Sequence, residues 1–185
     1  MTLRFLPERT PVAAVRKLAE ERGWRFVSDH PRTLANPRLL IWETGSGAAS
    51  RVLLTQDHLI GVAVLSTDTP GLADELGKAL ALLDEADLLA SLHDPADAWT
   101  LIRTINCLAY LHSSDERYTT RPEDDPDYVE LLTRLVEHPV PGVRRAALEA
   151  AATSLRQRAR AVLTHARACS PRNADQLDHY LGQLS

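Results

Sequence analysis

The chain reads as an α+β protein, a small antiparallel sheet with one N-terminal helix followed by an all-α array. Two observations predict this. Between Trp24 and Ser66 the apolar residues recur in short runs with strand character, and after Thr67-Asp68-Thr69-Pro70-Gly71 the period changes to about 3.6 and stays helical. The change places a boundary between an α+β domain, residues 1–69, and a helical domain, residues 70–185.

Thr10 suits an N-cap, Pro11 the first helical position and Gly23 a left-handed cap, so residues 11–22 are expected to be helical. Val12, Val15, Leu18 and Ala19 form an apolar stripe opposite Arg16, Lys17, Glu20 and Glu21, which lays this helix on a surface. Four strands are expected to supply that surface: Trp24 to Ser28, Arg38 to Thr44, Ser50 to Gln56 and Leu59 to Ser66. Gly45-Ser46-Gly47 and Gln56-Asp57-His58 read as hairpin connections, so the simplest topology is an antiparallel meander. The last strand is apolar on both faces, through Leu59, Ala63 and Leu65 and through Ile60, Val62 and Val64. Both faces therefore require cover, and the first helix and the helical half of the chain are the expected covers.

In the second half, Leu72, Leu76, Leu80 and Leu83 line one helix face, a break is expected near Asp84, and Leu88, Leu89 and Leu92 resume the pattern. Asp94-Pro95 opens the next helix, which holds Trp99, Ile102, Ile105, Leu108 and Leu111. Further helices are expected at 126–137, 142–154, 155–168 and 173–184, jointed at Pro139, Pro141, Gly142 and Pro171.

An internal repeat runs through this half. Leu88-Leu89-Ala90-Ser91-Leu92-His93-Asp94-Pro95 overlays Leu131-Leu132-Thr133-Arg134-Leu135-Val136-Glu137-His138-Pro139. The offset of about 43 residues is that of paired-helix solenoids. The second copy continues as Pro141-Gly142-Val143-Arg144-Arg145-Ala146-Ala147-Leu148-Glu149-Ala150-Ala151, which resembles the second helix of a HEAT-like, armadillo-type repeat. The resemblance covers about residues 86–168. It implies two or three stacked helix pairs, small alanines that let helices approach closely, and a scaffold that binds a macromolecule.

Composition sets further bounds. No apolar run approaches the roughly 20 residues of a membrane helix, and residues 1–9 lack the apolar middle of a secretory signal, so a cytoplasmic protein with no membrane partner is expected. Nineteen of the twenty-one basic residues are Arg, a bias that points to a high-GC, bacterial genome before it points to phosphate recognition. Cys107 and Cys169 lack redox or zinc-finger spacing and are expected to be reduced, buried, small apolar residues.

No pattern specifies catalysis, a cofactor or a metal. The seven histidines include no pair four apart, Gly45 to Ser50 joins two strands and lacks a following helix, and no nucleophile turn of the Gly-x-Ser-x-Gly type occurs. Charge is more informative. Residues 84–130 carry three basic and twelve acidic side chains, whereas residues 131–185 carry eight and four. The long connection from about His112 to Asp125 concentrates the acids, and Asp115, Glu116, Tyr118, Glu123, Asp124 and Asp125 are the expected contacts to a basic surface on a protein partner. The expectation is thus a non-catalytic binding or adaptor protein, of which an immunity protein that inhibits a basic toxin or nuclease is one form. The alternative is a nucleic-acid binder that grips phosphates with Arg144, Arg145, Arg156 and Arg160.

Overall fold

The computed structural model describes residues 2–7, 12–34, 36–45, 50–57, 61–69, 71–93, 97–114, 123–155, 157–169 and 174–183. It contains a five-stranded antiparallel sheet and, among the described residues, eight helices, and it divides into two compact units, Met1–Leu89 and Ala90–Ser185.

The first unit holds β1 (Thr2–Phe5), α1 (Val12–Glu21), β2 (Arg25–His30), β3 (Arg38–Glu43), β4 (Arg51–Asp57), β5 (Val62–Thr67) and α2 (Leu72–Leu80). The sheet order is β1-β5-β4-β3-β2 with every neighbour antiparallel. The expected meander is therefore present over β2 to β5. The expected count of four strands is corrected to five, because Thr2-Leu3-Arg4-Phe5 pairs with β5, Thr2 opposite Thr67 and Phe5 opposite Val64. Four residues are too few for period two to stand out in the sequence, and the pairing is made to a strand some sixty positions away, which local pattern does not register.

Helix α1 ends as its residues dictate. Gly23 takes φ 66°, its amide donates to the Glu20 carbonyl at 3.0 Å and that of Trp24 to Ala19 at 2.9 Å, which is the paired bonding of a Schellman cap. One face of the sheet, with Leu40 and Trp42 of β3, Val52 and Leu54 of β4 and Leu65 of β5, packs with Val15 and Ala19 of α1 and Leu76 of α2. Each of these fully buried Val and Leu side chains contributes about 1.5–3 kcal/mol of transfer free energy. Because α2 also packs against β1 and β5, the compact unit runs on to Leu89, beyond the change of hydrophobic period near Gly71.

The break expected near Asp84 lies between α2 and α3 (Glu85–His93). Ala81 turns the chain out of α2 with a left-handed φ of 49°, and α3 then starts on a reciprocal cap in which the Asp84 carboxylate accepts from the Asp87 amide and the Asp87 carboxylate from the Asp84 amide, both at 3.0 Å.

The second unit contains α4 (Ala98–Ser114), α5 (Pro126–Leu135), α6 (Pro141–Ser154), α7 (Ala159–Cys169) and α8 (Ala174–Gln183). Helix α4 packs on α6, α6 on α5 and α7, and α7 on α8. The alanine-rich face of α6, with Ala146, Ala147, Ala150 and Ala151 buried, permits these close crossings. No helix among the described residues is long and apolar enough to cross a membrane.

Candidate functional site

The acidic connection before α5 holds the densest run of carboxylates in the chain. Asp115, Glu116 and Tyr118 lie outside the described residues. The three remaining acids stand just before α5, and two of them have local duties. The Asp125 carboxylate accepts from the amides of Asp127 at 3.0 Å and Tyr128 at 3.3 Å, and so caps α5. That of Asp124 accepts from the amides of Gln157 at 2.9 Å and Arg158 at 2.7 Å, and so caps the approach to α7. Helix N-termini leave orphan amides that attract carboxylates, and this demand engages Asp124 and Asp125, two of the six residues expected to contact a partner. Glu123 is exposed.

The arginines are similarly engaged. Arg144 donates to the carbonyls of His138 at 2.8 Å and Pro139 at 2.9 Å, closing the turn before α6, and Arg145 pairs with Glu149 at 2.9 Å along α6. Arg156 lies outside the described residues, and Arg160 is exposed. Local capping and pairing thus occupy two of the four residues of the nucleic-acid reading.

Two arrangements missed by the sequence reasoning are built by the fold. The first is a groove of about 280 Å³ in the N-terminal unit, where α1 crosses the β3–β2 end of the sheet, lined by Arg16, Ala19, Glu20, Trp24, Phe26, Asp29 and Trp42. Trp42 is buried at its floor, while Phe26 on the edge strand stays 49% exposed with its ring 5.7 Å from that of Trp42. Asp29 is held by Arg38 at 2.6 Å and Arg16 at 3.3 Å, and the Arg38 hydrogen bond keeps its carboxyl below the usual range. Glu20, also on the groove wall, is exposed and has no ion-pair partner among the described residues. A bulge at Val27 lets Phe26 and Asp29 both meet β3 on the face covered by α1, opposite Trp42 and Leu40. Strict alternation would put them on opposite faces, so the sequence hides their meeting.

The second arrangement is in the C-terminal unit. Cys169 is exposed, which corrects the expectation that both cysteines are buried; Cys107 is buried in α4, and burial pushes its thiol up to about 12. Cys169 is the last residue of α7, where the helix outruns the core. It stands one turn from His165 and beside Glu137, which follows the end of α5. His165 Nε2 lies 2.5 Å from Glu137 Oε1, Cys169 Sγ 3.5 Å from the same oxygen and 3.7 Å from the same nitrogen. The His165 hydrogen bond holds the Glu137 carboxyl below its ordinary value; partial desolvation, together with the hydrogen bond to Glu137 and its charge, pushes the Cys169 thiol up. A His-x-x-x-Cys spacing on a helix was the signal available in the sequence, whereas Glu137 is brought in only by the packing of α5 on α7.

The same unit buries Tyr128, whose hydroxyl shares a 2.9 Å hydrogen bond with Ser154 and whose ring stacks on His112 at 3.7 Å. This explains the histidine near the end of α4 as a packing group. Comparison of the chain with family models, with curated proteins and with solved structures returned no match.

Proposed function

We propose that the chain is a non-catalytic protein-binding protein, and that the groove beside α1 receives a basic or apolar side chain from the partner. The reading is carried by Phe26. An aromatic ring left 49% exposed beside Trp24 and Trp42, within a concave site, is the type of anchor surface that protein partners use. Glu20 adds a carboxylate to the aromatic wall, and the pairing of carboxylate and π-faces favours a cationic side chain such as Arg or Lys. Inhibition of a basic partner remains one form of this activity. The α5–α6 pair, with Pro139 and Pro141 at its joint and Arg144 closing the turn, is consistent with reading residues 86–168 as HEAT-like units that present this chain to macromolecules.

A photo-reactive amino acid placed at position 26, and separately at position 123, tests the reading in the native cell. Position 26 is expected to capture a protein with an accessible basic segment, and Phe26→Ala or Glu20→Lys to weaken the purified complex by about tenfold or more. Glu123→Ala should leave the complex unchanged. Capture through position 123 with position 26 silent would move recognition to the acidic approach of α5, and capture at neither position would overturn the proposal.

A further inference from the structure

The cluster in the C-terminal unit points to chemistry separate from the groove. Glu137, His165 and Cys169 offer one oxygen, one nitrogen and one sulfur, all within 4.8 Å of one another. Their mutual arrangement distinguishes two uses of such a set. A nucleophilic triad needs a histidine with one ring nitrogen on the thiol and the other on the carboxylate, so that a proton can be taken and the ring oriented. Here Cys169 Sγ and Glu137 Oε1 both approach the same atom, His165 Nε2. Three donors that converge on one locus are arranged like ligands round a single centre, and the ring cannot relay between them.

We propose that Glu137, His165 and Cys169 form a binding site for a thiophilic divalent cation, with Zn²⁺ the best chemical match. Tetrahedral Zn²⁺ with bonds of about 2.0–2.3 Å sets its ligand atoms roughly 3.3–3.8 Å apart. The two separations that involve sulfur, 3.5 and 3.7 Å, already meet that requirement. Only the His165–Glu137 pair must open, by rotation of an exposed carboxylate side chain. The scaffold under the donors is fixed: His165 and Cys169 are one turn apart on α7, and Glu137 sits in a turn whose backbone bonds run from Glu137 to Arg134 at 3.2 Å and from His138 to Leu135 at 3.1 Å. Cys169 also ends α7, where the negative end of the helix dipole makes the local potential favourable to a cation. The set includes imidazole and thiolate donors, which selects against Mg²⁺ and Ca²⁺. Three protein ligands at an exposed position leave a coordination place for water or for a donor from another molecule.

The full-length protein, reduced and stripped of metal by a chelator, is titrated with Co²⁺ as a spectroscopic substitute and then with Zn²⁺ against a chromophoric chelator. One equivalent is expected to bind, with a thiolate-to-cobalt charge-transfer band that Zn²⁺ abolishes. Cys169→Ser and His165→Ala should remove the band and weaken Zn²⁺ by about tenfold or more, since each deletes a direct ligand, with circular dichroism showing an unchanged helical content. Cys107→Ala should change neither quantity. Absence of the band in the unaltered chain, or its survival in Cys169→Ser, would overturn the assignment, as would equal binding of Mg²⁺.

Discussion

The acidic approach to α5 and the groove beside β2 both carry charged side chains, yet the fold uses them differently. Before α5 the carboxylates of Asp124 and Asp125 face backbone amides, and their charge is spent within the unit. In the groove Asp29 is neutralised between Arg16 and Arg38, while the Phe26 ring and the Glu20 carboxylate stay exposed and the Arg22 guanidinium lies over the Trp24 ring. Charge that is dense in sequence is thus drawn on by backbone amides wherever helix ends lie close by. The exposed aromatic at the bulged sheet edge has no such local duty.

Stability measurements separate the two regions. The largest effect is expected from truncating the core beneath the caps: Leu132→Ala, at a fully buried position in α5, should lower the urea-unfolding free energy by about 2–5 kcal/mol. Phe26→Ala should stay within about 0.5–1 kcal/mol, and a loss as large as that of Leu132→Ala would show that Phe26 belongs to the core and is not a surface anchor. Next, Asp124→Ala should cost about 1–2 kcal/mol, because two backbone amides lose their acceptor, while Glu123→Ala should cost less than about 0.5 kcal/mol. The reverse order would return Asp124 to the list of recognition residues.

A smaller effect tests the same capping principle through pH. The backbone bond from Asp87, its largest cause, holds the Asp84 carboxyl below its ordinary value. A carboxylate lowered in the folded state stabilises above the unfolded-state value and loses that contribution as pH falls through the folded value. Asp84→Ala should therefore cost about 1 kcal/mol near neutrality, and the gap to the unaltered protein should narrow on acidification toward pH 3. A gap independent of pH would mean that the charge of Asp84 does not act in the cap. The smallest change is a gain: Ala81→Gly, at a left-handed helix end, should stabilise by about 0.5–1 kcal/mol in thermal unfolding, since glycine takes φ 49° without the Cβ clash. A loss there would show that the alanine methyl contributes packing that outweighs its strain.

Much of the architecture was legible because it depends on local chemistry. The cap at Gly23, the break before Asp84 and the helix starts at Pro126 and Pro141 all follow from residues within a few positions of the feature they determine. The β3–β4 hairpin was legible for the same reason, and the Thr44 amide bonding to the Ser50 carbonyl at 3.0 Å closes it. Strand β1 was not, because its partner is far away in sequence, and the sheet register of Phe26 was not, because a single extra residue reverses which face a side chain occupies. Glu137 reaches His165 and Cys169 across 28 and 32 positions, so neither its role nor the exposure of Cys169 could be inferred from spacing.

Local chemistry, then, carried the α+β class, the order of the elements that follow β1 and the positions of most joints, since periodicity, proline and glycine act over one or two turns of chain. Which carboxylates are consumed by amides, which aromatic remains open at the sheet edge, and which three donors meet at the end of α7 were decided only when the elements packed. Those outcomes depend on distances between segments, and hydrophobic packing sets such distances without leaving a local mark in the sequence.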